Sequence, residues 1–436
     1  MLSYARPLLA FLTLLTFCLC FANFSGGRAQ QPFDVRNISL VGALKLQPFN
    51  EKAHADVAGY KNLAFIGKWG GACTGMGVDI IDISTPSTPV KIAATLTHAN
   101  TSAEDMNTIQ IGSRDVLAVG LQECGMNPAQ GKSGLELYDI TDPSHPQFLS
   151  FFDVDGFGAD VHGIHELDLT ITPSGRALAL AAVPDLEILT RDSEGLGGKG
   201  DLLIIDITDP TTPTVVSEWG VLDEPGLGPS FYASVRQGSF PETFGHSARA
   251  SKDGTRVYVS YWDAGVMVLD ISNPASPVLL GHTSFSPGEE GNAHSVAEAR
   301  GGNIIIQADE DLDPFGSGAF DGWGYLRIFD IADPANPQQL STFATANVND
   351  ETVATQGNWT THNPEVRGNT VYASWYNDGI RVIDISTLSA PREIGFWIGA
   401  GAPTGAPAVN IWSVVPHENL LLASDRNYGL YILRMP

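Results

Sequence analysis

Short apolar runs, and no sustained helical stripe, organise this chain. Runs of four to seven residues rich in Val, Ile and Leu end at Gly, Pro, Asp or Asn, which predicts short strands throughout. One phrase recurs. Gly-Val-Asp-Ile-Ile-Asp-Ile-Ser-Thr-Pro-Ser-Thr-Pro at 77–89 returns in variant form at 134–146, 201–213, 265–277, 325–337 and 379–391, and a truncated copy stands at 429–434. Its strand-ending aspartates are Asp82, Asp139, Asp206, Asp270, Asp330 and Asp384, a period of about sixty residues.

Each phrase reads as a β-branched strand followed by turn chemistry. The Asp carboxylate can accept backbone amides just beyond it, and Pro cannot continue a central strand. Upstream sits a second strand, such as RVYVSY at 256–261 or TVYASW at 370–375. A third precedes it, such as HSARA at 246–250, and a fourth follows the phrase, such as VLLG at 278–281. Four strands per unit at this period predict a β-propeller. The seventh unit stops at its third strand, and an orphan strand at 38–44 can supply its fourth. The expectation is an all-β, seven-bladed β-propeller of four-stranded antiparallel blades, closed by the N-terminal strand and occupying residues 30–436 as one domain.

The phrases RVIDIS at 381–386 and MVLDIS at 267–272 resemble LVIVD repeats, a propeller family of exported bacterial proteins. The resemblance covers about residues 38–434 and implies the propeller fold and export. It implies no activity, because propellers serve as binding proteins, scaffolds and enzymes alike. Two positions depart from the pattern: Arg434 replaces the Asp of the last phrase, and Leu388 replaces the first Pro of the sixth.

The N-terminus changes the picture of where the protein works. Arg6 precedes an apolar run over 8–22, and Gly27-Arg28-Ala29 follows. A basic start, a short apolar stretch and a small-x-small exit describe a secretory signal peptide over 1–29, cleaved after Ala29. The run is shorter than the 18 or so residues of a membrane span, though an uncleaved anchor stays open as the alternative. The expected location is periplasmic, secreted or cell-surface, with no membrane span after cleavage. Removing this segment takes Cys18 and Cys20 from the four cysteines and leaves Cys73 and Cys124. Both fall in connections between the second and third strands of adjacent blades, which predicts a disulfide between those loops. The net charge of −25, from 24 basic against 49 acidic residues, argues against a nucleic-acid partner.

With the strands of each blade labelled a to d, the a–b and c–d turns are short. The long connections are b–c (68–76, 122–133, 184–199, 309–324) and d–a (218–245, 282–293, 397–410), so all the added length gathers on one face. Long loops on a rigid scaffold carry function, which favours this face. The aromatics Trp69, Trp262, Trp375 and Tyr376 near the b–c turns read as a contact surface there, or as packing between blades.

His54, His165, His246, His294 and His362 all stand at the start of strand a, where Asn107 and Trp412 fill the same position in blades two and seven. Strand a is innermost in a propeller, so these seven residues are expected to ring the channel mouth and bind a ligand. Two readings remain open: consensus residues that satisfy backbone groups, or imidazoles that converge on a transition metal or an anion. A seven-fold ring is too wide for one ion to reach every member, so a metal is assigned to His165, His246 and His294 with Asp309 and Asp311 of the acidic run at 309–313. That run could alternatively hold Ca²⁺ through oxygen ligands.

No nucleophile elbow, phosphate-binding loop, His-Glu-x-x-His or Cys-x-x-Cys is present after residue 29, and no catalytic residue is assigned. The first reading is an exported binding or interaction module whose loop-rich face takes a protein, glycan or small molecule. The alternative is a metal-dependent oxidoreductase or hydrolase with His ligands at the channel mouth. A monomer is expected.

Overall fold

A computed structural model describes residues 34–70, 76–124, 131–154, 163–184, 200–235, 243–286, 289, 291–316 and 318–436. The sequence pattern becomes seven antiparallel sheets. Blade one is His54–Tyr60, Leu63–Lys68, Asp79–Asp82 and Val90–Ala94. Blade two is Met106–Ile111, Arg114–Glu123, Gly134–Asp139 and Gln147–Asp153, with Thr101–Ser102 paired to the far end of its second strand. Blades three, four and five begin at Leu167–Ile171, Gly245–Ala250 and Ala293–Ala299. Blade six begins at Pro364–Arg367, and Val35–Arg36 adds to its outer strand, Arg392–Trp397. In blade seven, Ser39–Lys45 pairs with Gly429–Arg434, so the sheet joins a strand from near the N-terminus to three from the C-terminal end. The innermost strands contact one another in order, and the seventh returns to the first, which closes a ring around a central channel.

The phrases form their strands for a local reason. In the first six blades the strand-ending aspartate Oδ1 accepts the amide two residues on, at 2.7–2.9 Å, from Asp82 to Ser84 through Asp384 to Ser386. That bond stops the strand and starts the turn. The second and third strands are buried on both faces, as in Ala177–Val183, so they read as continuous apolar runs without alternation. The core lies between blades: Leu178, Leu180, Leu202 and Ile204 of blade three pack on Val257, Val259, Met267 and Leu269 of blade four. Burial of these facing layers is what holds adjacent sheets together.

Small residues in the outer strands set the blade spacing. Ser150 Oγ donates to the Pro210 carbonyl of the next blade at 2.7 Å, and Ser217 Oγ to that of Pro274 at 2.6 Å. Ser341 Oγ reaches Leu388 O at 2.5 Å, so the Leu that replaces the first Pro of the sixth phrase still supplies the carbonyl. Where no side chain fits, glycine stands: a Cβ on Gly281 would lie 1.9 Å from Pro334 O, and one on Gly42 would lie 2.0 Å from Pro86 O.

The long connection between blades three and four carries a short helix, Gly228–Val235. Among the described residues no helix is long and apolar enough to cross a membrane. The proposed signal segment 1–29 and Cys73 lie outside the described residues. Trp262, Trp375 and Tyr376 are 5%, 0% and 2% exposed, so these aromatics pack inside the molecule and do not form an open contact surface.

Candidate functional site

In blades four, five and seven the start of the inner strand aims one side chain into the channel through a β-bulge. In blade four Gly245 opposes Tyr261 and Ser247 opposes Ser260, which leaves His246 as the extra residue. His294 and Trp412 are placed the same way in blades five and seven. A bulge redirects the residue it adds, and here it turns that residue toward the axis. Single bridges between blades, Trp262 with Ala293 and Tyr376 with Ile411, fix the residue just before His294 and Trp412.

The structure brings His165, His246, His294, His362 and Trp412 into one ring. Adjacent ring centroids lie 4.3 Å apart for His165 and His246, 4.0 Å for His246 and His294, 4.1 Å for His294 and His362, and 4.2 Å for His362 and Trp412. Trp69 closes the circle at 5.6 Å from Trp412 and 6.2 Å from His165. All four imidazoles are buried.

His54 and Asn107 are not in this ring. His54 pairs with Lys68 before the bulge of blade one, so Ala55 takes the ring position and packs against Tyr376 and Trp412. A shift of one residue turns a side chain to the opposite face. Burial, with Lys68 adding to it, pulls the His54 pKa down to about 4, so it sits neutral at neutral pH. In blade two the second strand, Arg114–Glu123, is ten residues long, and counting back from it places the ring too far along. Asn107 sits deeper in the channel, where Nδ2 donates to Asp168 at 2.8 Å. The residue against the ring in blade two is Glu104, whose Oε2 is 2.7 Å from His165 Nδ1.

The assigned metal set does not assemble. His165 Nε2 and His246 Nε2 are 2.8 Å apart, a hydrogen bond, whereas two ligands of one tetrahedral ion with bonds of about 2.1 Å sit roughly 3.4 Å apart. Asp309 accepts from Arg327 Nε at 2.5 Å and from Gln307 at 2.8 Å, so its carboxylate is committed to an ion pair. Asp311 accepts the amide of Asp313 at 2.9 Å and shapes its own loop. The residue between them, Glu310, is the one that meets the ring. Its Oε2 is 3.6 Å from His294 Nε2, its Oε1 is 3.9 Å from His362 Nε2, and Tyr376 Oη donates to Oε1. Two sets of three buried side chains hold donor atoms within 4.8 Å of one another: Glu166, His246 and His294, and then His294, Glu310 and His362.

Burial governs the electrostatics of the ring. It pushes Glu310 up to about 8 and holds His246, His294 and His362 well below the usual imidazole value. His165 goes the other way. Burial pulls it down, but the charge and hydrogen bond of Glu104, with Glu166 and Glu310 behind, outweigh that and raise it to about 9.

Below the ring, toward the tight-turn face, lies a cavity of about 180 Å³. Asp56, Asp105, Asn107, Arg249, Asn363 and Glu365 line it. Arg249 donates to Glu166 at 3.1 Å, and Asn363 Nδ2 donates to Asp56 at 2.8 Å. Burial raises Asp56 well above the usual carboxylate range and Asp105 to about 7. Arg249 is itself raised: burial lowers it, and Glu166, Asp105 and Asp168 more than compensate. The cavity therefore presents carboxylates, amides and a single guanidinium. Repeat counting identified the imidazoles but missed Glu104, Glu166, Arg249 and Glu310. The signal for Glu310 was strand alternation through 304–310, which puts it on the face opposite Asp309.

These features define a seven-bladed propeller with a polar, histidine-ringed axial channel. The chain carries LVIVD repeats in five segments: the LVIVD repeat model matches residues 54–97, 197–219, 251–284, 320–345 and 361–397. The phrases of blades two and seven fall outside the matched segments, yet both sheets pair in the common register. No curated protein matches the chain.

Proposed function

We propose that this LVIVD-repeat propeller is an exported binding module that takes a small polar ligand into its axial channel. The observation that carries the reading is the cavity below the ring, whose lining mixes three carboxylates, two amides and one guanidinium. Such a wall offers acceptors in excess of donors, so it suits a small ligand rich in N–H or O–H groups, an amine or a polyol. Export rests on the signal segment at 1–29, and the long connections at the other end of the channel leave a surface for a protein or glycan. Isothermal calorimetry with a panel of small amines and polyols tests the reading. Binding by one class, weakened at least tenfold by Glu365→Gln, is expected. No heat from either class, or binding indifferent to Glu365→Gln, overturns it.

A metal-dependent enzyme is the second reading. The observation in its favour is that His294, His362 and Glu310 face one another without hydrogen bonding.

A further inference from the structure

We propose that His294, His362 and Glu310 bind one divalent first-row transition-metal ion, with Tyr376 as the outer partner that orients the carboxylate. The inference goes beyond ligand binding in the lower cavity and gives the catalytic reading its metal. It stands on its own geometry and does not require that any reaction occurs.

The spacing is the first argument. The Glu310 carboxylate lies 3.6 Å from His294 Nε2 and 3.9 Å from His362 Nε2. Both distances are too long for a hydrogen bond. They lie close to the separation of about 3.4 Å that two ligands of a tetrahedral ion adopt with bonds of about 2.1 Å. Small rotations of three side chains bring the donors onto one centre.

Burial is the second argument. His294 is 1% exposed, His362 is 0% exposed and Glu310 is 5% exposed. His362 Nε2 makes no hydrogen bond, although it is fully buried and aimed at the carboxylate. Buried polar atoms are nearly always satisfied, and one left open in a cluster of good ligands points to an ion. A neutral imidazole with a free lone pair is the form that ligates.

The outer contact is the third. Tyr376 Oη donates to Glu310 Oε1. A hydrogen-bonded carboxylate is fixed in orientation, as the outer partners of metal ligands require. The three donors also come from rigid parts of the fold: His294 is the bulge residue of blade five, Glu310 directly follows the second strand of that blade, and His362 enters blade six.

Donor chemistry selects the metal class. Two imidazole nitrogens and one carboxylate suit Zn²⁺, Fe²⁺ or Cu²⁺, whereas Ca²⁺ and Mg²⁺ prefer oxygen ligands alone. Three protein ligands leave a coordination position open for water or a substrate. His165 stays outside the site, because its Nε2 is engaged with His246 at 2.8 Å.

The test uses the full chain, stripped with a chelator and loaded with Zn²⁺, Fe²⁺, Cu²⁺ or Co²⁺ in turn. About one equivalent of at least one of these ions per chain is expected. X-ray absorption of the loaded wild-type protein should show two imidazoles in the first coordination sphere, a readout that needs no variant. Glu310→Gln keeps the shape of the side chain and should cut affinity at least tenfold, as should His362→Ala. Tyr376→Phe should weaken binding about 10–100-fold, the range found for outer-shell partners. His54→Gln, outside the ring, should bind as the wild type does. Less than about a tenth of an equivalent on the wild-type protein, an absorption spectrum without imidazole, or full loading of both Glu310→Gln and His362→Ala overturns the proposal. Because only metal is measured, failure here leaves the calorimetric test of the lower cavity untouched.

Discussion

His165 and His246 are joined by a hydrogen bond between their Nε2 atoms, 2.8 Å long, although 81 residues separate them in the chain. On its other side His165 Nδ1 meets Glu104 Oε2 at 2.7 Å. A proton on His165 therefore has an acceptor at each end, and burial alone would have driven it off. Glu104→Gln removes the charge that keeps it there, so the His165 pKa should fall from about 9 toward or below its ordinary value. A pH titration of the imidazole carbon-bound protons by NMR reads this directly. An unmoved titration would show that Glu104 is not the cause.

Asp105 gives a pH dependence with a definite sign. Burial raises its folded pKa to about 7, above the 3.8 of the free side chain. The folded state then binds the proton more tightly than the unfolded state. Its contribution is fully present below pH 3.8 and is lost as pH rises toward 7. Asp105→Asn cannot ionise, and its amide oxygen can still accept from the Leu167 amide, which lies 2.8 Å from Asp105 Oδ2. The melting temperature of the variant relative to wild type should therefore climb between pH 4 and pH 8. A gain on the order of 1–3 kcal/mol is expected at the upper end. A constant difference across that range would contradict the assignment.

Arg249 is the cation at the centre of Asp105, Glu166, Asp168 and Glu365. Arg249→Met keeps much of the volume and leaves buried carboxylates without a counter-charge. A loss of about 3–5 kcal/mol at neutral pH is expected, measured by chemical denaturation. Part of it should return at low pH, where the carboxylates take up protons.

Gly281 and Ser217 occupy corresponding positions in the outer strands of neighbouring blades. A Cβ on Gly281 would press to 1.9 Å from Pro334 O, so Gly281→Ala should destabilise the protein by about 1–3 kcal/mol. Ser217→Ala deletes a 2.6 Å bond to Pro274 O and should cost about 1 kcal/mol. Denaturant midpoints for the two variants check both values, and the glycine variant should be the weaker.

The expected link between Cys73 and Cys124 is tested by counting thiols in denatured protein before and after reduction. Two thiols should appear only on reduction. Because the link would join loops and not the core, reduced protein should keep its far-ultraviolet circular dichroism.

The sequence by itself determined the blades. The Asp at the end of each phrase forms its turn within two residues, and apolar runs of strand length need only local spacing to be read. Two of the seven channel positions were misassigned by counting, the carboxylates that meet the ring were left without a role, and the reasons are physical. His54 and Ala55 differ by one residue across a bulge, and nothing in the chain marks on which side the extra residue falls. Asn107 was displaced by a second strand longer than its counterparts. Glu104, Glu166 and Glu310 carry no motif, because their meaning comes from partners 16 to 83 residues away in other strands or blades. Only closure of the ring decided that Glu310, and not Asp309, faces His294 and His362. Strand alternation is local and legible, whereas the direction of the axis is a property of all seven sheets together.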